Sequence, residues 1–201
     1  MALGRKQVVV VPTDTGYALV ANAFSPTGVA TLREVKGWDR PVPPQVLIPG
    51  FPTLPALAAE VVEPVKALTE EFWPGALSVI VPAGDSLQWD LGDNDGTVTL
   101  RMPAHVVLSE LLLEVGPLAA TQASPVGQTL GSLDEIHAVF GDEVTVYLED
   151  PTLRPTGPST VVDATSWGRE KGSIRVVREG DIPTAAIVEL LGEDAVTVPE
   201  S

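Results

Sequence analysis

The first strong pattern in the chain is Val8-Val9-Val10-Val11, an unbroken β-branched run that stops at Pro12 and gives way to Thr13-Asp14-Thr15-Gly16-Tyr17. Four successive valines have too little helix preference and too little alternation for a surface helix or a half-exposed strand. They predict a strand in the middle of a sheet covered on both faces. Pro12 lacks a backbone donor and is expected to end the pairing there. Polar groups at the end of a buried strand need partners. Thr13, Asp14 and Thr15 therefore have two readings on their own, a turn that caps the next segment or a loop that binds a ligand.

Further along, Ser25-Pro26 fits an N-cap followed by proline at the first helical position. Val29, Leu32 and Val35 continue at helical spacing until Gly37 can close the helix. Residues 36–44 form a stiff loop with prolines at 41, 43 and 44, leading into a short strand, Val46 to Ile48. A helix is expected over part of Leu54 to Glu60 and another from Pro64 to Phe72, with Val65, Leu68 and Phe72 on one stripe. That helix runs into Phe72-Trp73-Pro74-Gly75, where proline cannot continue it and glycine can turn the chain.

Leu77 to Val81 predicts a strand, Ala83 to Gly96 a surface loop, and Thr97 to Met102 a second strand ending at Arg101-Met102-Pro103. Val106 to Val115 predicts a helix broken by Gly116-Pro117, and Leu118 to Ala120 a short strand leading into Thr121-Gln122-Ala123-Ser124. Ser132 and Glu135 form a capping box for a helix to Phe140. Strands follow at Val144 to Leu148, Ser159 to Val162 and Ile174 to Arg178, with a proline-rich loop over Asp150 to Pro158. Pro183 to Leu191 closes as a helix. Strands and helices alternate along most of the chain, so the class is α/β, with polar clusters at strand ends where open α/β sheets place ligands. We read residues 1–192 as a single domain and residues 193–201 as a loosely held acidic tail.

Composition narrows the function. At 201 residues and 44% hydrophobic content the chain can build a sizeable core. It has no cysteine, which excludes thiolate catalysis and cysteine-ligated zinc and fits a reducing compartment. No run predicts a signal peptide or a membrane span, so a cytoplasmic location is expected. A formal charge of -15 disfavours general nucleic-acid and membrane binding. With only 12 Lys and Arg, each cation beside a motif is informative.

No nucleophile and base set is visible, nor a Gly-x-x-x-x-Gly-Lys-Ser/Thr or Gly-x-Gly-x-x-Gly phosphate loop. His137 is expected on a helix surface, whereas His105 stands at a strand-to-helix junction as a site or capping residue. What remains is a set of hydroxyls and cations at loop starts: Thr13, Thr15, Lys36, Arg40, Arg101, Thr121, Ser124, Ser159, Thr160 and Arg178. Singly each fits a structural role. Together they suit a polyanionic ligand held by point charges and hydroxyl donors.

Five ordered blocks carry a resemblance to the YrdC-like family. They are Pro12-Thr13-Asp14-Thr15 with Tyr17, Lys36-Gly37, Phe72-Trp73-Pro74-Gly75, Arg101-Met102-Pro103 with His105, and Ser159-Thr160-Val161-Val162-Asp163. The resemblance covers Val8 to Gly180. It implies a twisted mixed sheet with flanking helices around a concave cavity. It also implies L-threonylcarbamoyladenylate synthase activity, in which L-threonine, bicarbonate and ATP give threonylcarbamoyl-AMP and pyrophosphate for modification of adenosine in tRNA. Some members are described as binding double-stranded RNA. By this resemblance Thr13, Asp14, Thr15, Tyr17, Thr121 and Ser124 hold threonine. Lys36 and Arg101 neutralise charge in catalysis, and Lys36, Arg40, Ser159 and Arg178 bind the nucleotide. Magnesium is expected to accompany ATP, with no dedicated metal ligands in the chain.

Two blocks depart from the family pattern. Where the synthases carry Lys-Gly-Arg-Pro and a second Lys, this chain has Trp38 at the Arg position and Val42 at the second Lys, with Arg40 displaced along the loop. Trp38 offers an aromatic face for a base or another apolar group. Thr-Ser-Ala-Asn is replaced by Thr121-Gln122-Ala123-Ser124, and Tyr-Gly-Leu by Tyr17-Ala18-Leu19. Three readings of function stay open on sequence: a synthase with a modified nucleotide site, a non-catalytic paralogue binding a nucleotide or small metabolite, and an RNA-binding translation factor.

Overall fold

The computed structural model describes residue 3 and residues 7–38, 42–84, 89–155, 157–167 and 172–198. The valine run enters strand β1 (Val9–Thr13), which pairs antiparallel with β2 (Gly16–Asn22) around a two-residue turn, Asp14-Thr15. Strand β2 is not foreseen in the pattern. Nor does Pro12 end the pairing with β2: the register runs on through Pro12 opposite Tyr17 to Thr13 opposite Gly16. It is the parallel pairing with β7 (Val146–Tyr147) that stops earlier, at Val10. A proline whose missing donor faces away from the retained partner fits this arrangement.

The remaining strands are β3 (Gln45–Leu47), β4 (Leu77–Pro82), β5 (Thr97–Arg101), β6 (Leu118–Gln122), β8 (Thr160–Asp163), β9 (Ile174–Arg178) and β10 (Val196–Thr197). They join one mixed sheet in the order β10-β9-β8-β4-β5-β3-β6-β2-β1-β7. Strand β1 thus lies one place from the edge rather than at the centre. It is nonetheless covered on both faces, with Val8 and Val10 in one core cluster and Val9 and Val11 in the other. Of the stretch after residue 192, Glu193–Ala195 forms a short helical turn and β10 pairs parallel with β9.

Helices divide unequally between the two faces. Helices α1 (Pro26–Lys36), α2 (Leu54–Leu57), α3 (Glu63–Phe72), α5 (Leu133–Phe140) and α6 (Thr184–Leu191) all contribute to the first cluster, through residues such as Val29, Leu32, Leu68, Ile136 and Ile187. Among the described residues the helix on the second face is α4 (Val106–Val115), whose Leu108 and Leu112 join Leu3 in a cluster with Val9, Val11, Ala18, Val20, Leu47, Leu118 and Ala120. Beyond β3 that face turns polar. Alternation against the apolar Val46, Val79, Leu100 and Val162 puts Gln45, Ser78, Arg101 and Ser159 there.

The expected caps are present. Ser25 accepts from Gly28 N, Gly37 closes α1 in the left-handed conformation, and the Ser132 and Glu135 capping box opens α5. The sheet is also curled. Strands β5 and β2 are separated by β3 and β6, about 14 Å in a flat sheet. Yet Arg101 Nη1 lies 2.7 Å from Oγ1 of Thr15, the residue just before β2. The second face must therefore bend inward between them, which makes the concave surface on which the polar groups collect.

Candidate functional site

Arg101 is the hub of the concave face. It is 1% exposed, and its guanidinium is gripped at each nitrogen: Nε donates to Gly75 O at 3.0 Å, Nη1 donates to Thr15 Oγ1, and Nη2 lies 2.7 Å from Asp14 Oδ1. The Phe72-Trp73-Pro74-Gly75 block supplies one of these grips. Trp73 Nε1 donates to Leu77 O, Gly75 N donates to Met102 O, and a side chain at Gly75 would meet Phe72 O at 2.5 Å, so only glycine lets the chain pass. On the opposite side, Thr13 Oγ1 donates to Gly16 O at 2.7 Å and accepts from Thr15 N at 3.1 Å, which fixes the shape of the β1–β2 turn.

A second group lies at the ends of α1 and β6. Lys36 is 8% exposed, and its ammonium donates to the backbone carbonyls of Gln122 and Ser124. Ala123 N donates to Tyr17 O, so this corner adjoins the start of β2. Tyr17 Oη in turn sits 3.3 Å from Asp150 N, and Asp150 Oδ2 lies 3.0 Å from His105 Nε2. His105 also caps α4 through Nδ1. Tyr17 and His105 therefore tether the loop after β7, and Pro155 of that loop approaches to 3.9 Å of where a side chain at Gly16 would stand.

The third group is a row of polar side chains. Arg178 Nη2 donates to Ser159 O at 2.7 Å and to Ser159 Oγ at 3.2 Å, Ser159 Oγ lies 3.0 Å from Ser78 Oγ, and Ser78 Oγ donates to Gln45 Oε1 at 3.1 Å. Strict alternation along β9 would set Arg178 on the face of Ile174 and Val176. A β-bulge opposite Val161 and Val162 shifts the register so that Arg178 pairs with Val161 instead and joins the polar face. Gly180 permits the close approach of the following turn, since a side chain there would meet Pro158 O at 2.2 Å.

The electrostatics of these groups share one trait. Burial pulls the pKa of Lys36 down, and burial does the same for Arg178. Burial also lowers that of Arg101, with the Asp14 carboxylate acting in the opposite direction and the charge of Arg178 pressing further down. Among the described residues Lys36 and Arg178 make no salt bridge; their partners are carbonyl and hydroxyl oxygens. Buried side-chain atoms without an aligned hydrogen bond are Ser124 Oγ, Arg101 Nη2 and Asp14 Oδ1, the last two held as an ion pair of poor alignment. The Arg101 and Asp14 atoms meet each other, so the Ser124 hydroxyl is the one left open, and buried polar atoms are nearly always satisfied.

Several expected site residues are placed differently. Thr121 pairs with Leu19 and so projects to the first face, away from Arg101, without a side-chain hydrogen bond among the described residues. Trp38 lines a cavity of about 460 Å³ with Ala30, Arg33, Glu34 and Gly37, on a different flank of α1 from its buried Val29, Leu32 and Lys36. It therefore does not lie on the side of Lys36. Arg40 lies outside the described residues. His137 is exposed on α5, as expected, with its ring tilted 59° to that of Tyr147 and the centres 4.8 Å apart. Gln45 and Ser78 carry no motif, and a sequence pattern gives no reason to single them out. Gln45 is the one polar residue in a short apolar strand, the only signal that could have found it. Among the described residues no cluster of acidic or histidine side chains could hold a metal ion, and no helix is long and apolar enough to cross a membrane.

Comparison with known proteins agrees with this fold. The family model for Sua5, YciO and YrdC proteins, described as telomere recombination, matches residues 1–180. A Mycobacterium tuberculosis (strain ATCC 25618 / H37Rv) protein provisionally named threonylcarbamoyl-AMP synthase is 41% identical over 198 residues, covering 98% of this chain and 89% of that protein. The threonylcarbamoyl-AMP synthase of Pyrococcus abyssi (strain GE5 / Orsay) is 30% identical over 189 residues, covering 93% of this chain and 54% of the relative. The crystal structure of P. abyssi Sua5 complexed with L-threonine superposes with a TM-score of 0.87 at 29% identity, covering 98% of this chain and 57% of that one. This chain thus spans a little over half the length of the Pyrococcus protein. Escherichia coli YciO shares the fold, with a TM-score of 0.76 at 21% identity over 89% of this chain and 85% of that one. The chain belongs to the Sua5/YciO/YrdC family.

Proposed function

We propose that this chain is an L-threonylcarbamoyladenylate synthase, making threonylcarbamoyl-AMP from L-threonine, bicarbonate and ATP for the modification of adenosine in tRNA. The observation that carries the reading is the buried Lys36 ammonium, which has no carboxylate partner among the described residues and donates to the carbonyl of Ser124, whose own hydroxyl is unsatisfied. Burying such a cation is costly unless an anion meets it.

The chemistry asks for such a site. The threonine amine and bicarbonate condense to a carbamate with loss of water. A carbamate oxygen then bonds to the α-phosphorus of ATP, and the bond from that phosphorus to the β-phosphate bridging oxygen breaks to release pyrophosphate. Nucleophile and electrophile are both anionic, so positive charge and positioning matter more than a general base. The Thr13-Asp14-Thr15 turn, Tyr17 and Ser124 receive threonine, and Lys36 neutralises its carboxylate or carbamate. Ser159 and Arg178 face the nucleotide. Arg101 holds the turn and lends its remaining guanidinium hydrogens to the reacting oxygens. Magnesium would come in on the ATP phosphates, since no ligand cluster among the described residues offers to hold it. The acidic balance favours small anionic substrates over direct binding of RNA, and the reaction belongs in the cytoplasm with the tRNA it serves.

The test is pyrophosphate release with threonine, bicarbonate and Mg-ATP. Release that requires all of them supports the synthase. Binding of ATP by calorimetry without release supports a non-catalytic binder instead, and the absence of both binding and release would discard the reading.

A further inference from the structure

The row from Arg178 to Gln45 has a direction. A guanidinium only donates hydrogen bonds, so Ser159 Oγ accepts from Arg178 Nη2 at 3.2 Å. Gln45 Oε1 only accepts, and it takes the proton of Ser78 Oγ at 3.1 Å. The hydroxyl of Ser159 is left to donate to Ser78 across 3.0 Å. Ser78 and Ser159 are 1% and 5% exposed, so water does not compete for these protons. Every hydrogen in the row therefore points from the cation toward Gln45. With Oε1 bound inward, the Nε2 group of this part-exposed side chain is the open end. Among the described residues nothing accepts from Nε2.

We propose that Gln45 is a nucleotide-specificity residue, whose Nε2 group donates to an oxygen of ATP, and that Ser78 is the positioning residue that holds the amide for this contact. The inference rests on the reading that the Arg178 side of the site takes ATP. It reassigns part of the donor role that the family resemblance gives to Ser159. The Ser159 proton is spent inward on Ser78, and the row delivers its donor capacity at the far end. Cooperative polarisation by Arg178 through the two buried serines makes that terminal donor stronger than an isolated amide. A donor-only group of this kind selects for an oxygen acceptor and against an amine or an apolar group.

Calorimetric titration of a non-hydrolysable ATP analogue and of L-threonine into wild type, Gln45→Leu, Gln45→Glu, Ser78→Ala and the Gln45→Leu/Ser78→Ala double variant tests this. Thermal melts confirm that each variant is folded. Loss of one hydrogen bond predicts about 3–10-fold weaker nucleotide binding by Gln45→Leu. Gln45→Glu should bind it more weakly still, because it keeps the Ser78 contact but offers a negative charge in place of a donor. Threonine affinity should stay within about twofold in both, the ordinary scatter for a surface change away from the contact. Ser78→Ala should weaken nucleotide binding when Gln45 is present and add nothing once Gln45→Leu is in place. Unchanged nucleotide affinity in both Gln45 variants, equal losses for threonine and nucleotide, or additive losses in the double variant would each overturn the inference while leaving the function intact. A folded wild type that fails to bind the nucleotide at all would overturn both.

Discussion

Arg101 Nη2 and Asp14 Oδ1 lie 2.7 Å apart, joining the end of β5 to the β1–β2 turn across two intervening strands. Removing one partner of a buried ion pair costs about 3–5 kcal/mol, because the other charge is left uncompensated. The Asp14 side chain keeps 18% of its surface exposed against 2% for Arg101. Water can reach that end, and the expectation falls to about 2–3 kcal/mol. Asp14→Asn should lower the unfolding free energy in urea by that amount and raise the KM for threonine, since the turn loses its anchor. An unchanged urea midpoint would mean that the pair does not hold the turn.

Lys36 carries a pH signature. Its folded pKa lies below the ordinary 10.5 because of burial. Between the folded value and 10.5 the unfolded chain therefore holds more protons than the folded one, and stability rises with pH across that window. Urea unfolding at a series of alkaline pH values should show wild type gaining stability relative to Lys36→Met, which has no group to titrate there. The same variant should lose at least about 100-fold in kcat/KM, as expected when a charge-stabilising group is removed from an active site. A parallel pH dependence of wild type and variant would place the titration elsewhere.

Arg178 reaches the site only because β9 is bulged. A charge-assisted contact to a phosphate is worth about 1.5–3 kcal/mol, or about 10–100-fold in affinity. Arg178→Ala should weaken ATP by that factor and leave threonine binding nearly untouched. Arg178→Lys should recover only part of the loss, because a lysine cannot reproduce the two-nitrogen grip on the Ser159 carbonyl.

Trp38 gives the opposite expectation. The motif resemblance puts it at the family's Arg position, but it lines a cavity with Ala30, Arg33, Glu34 and Gly37. Trp38→Arg should therefore leave ATP affinity unchanged within about twofold, the scatter typical of surface substitutions. A tenfold gain in calorimetry would show that this position faces the nucleotide after all.

How far the sequence leads can be judged from individual residues. Local signals were sound where the physics is local. Ser25, His105 and Ser132 cap the helices they precede, and the Val106 to Val115 helix has the bounds its periodicity gives. Strand β2 was missed because its turn, Asp14-Thr15, lacks the Asn-Gly or Asp-Gly chemistry that signals a hairpin. The polar row was hidden for a different reason. Its members come from β3, β4 and the ends of β8 and β9, and only the strand order and the bulge bring them together. Trp38 illustrates the same limit, since the motif gives its place in the chain but the helical phase of α1 decides which flank its cavity lies on. Of the site, the turn at Thr13 to Thr15, Lys36, Arg101, Ser159 and Arg178 were legible as a set of donors; their division into three corners was not.

The most direct test follows the carbon. With ¹³C-labelled bicarbonate, L-threonine and Mg-ATP, the protein should form a product in which mass spectrometry finds the label, threonine and AMP in one molecule, with pyrophosphate released in equal amount. Pyrophosphate without labelled adenylate, or no product from a folded protein that binds both ATP and threonine, would contradict the claim that Lys36, Arg101 and Arg178 serve a synthase.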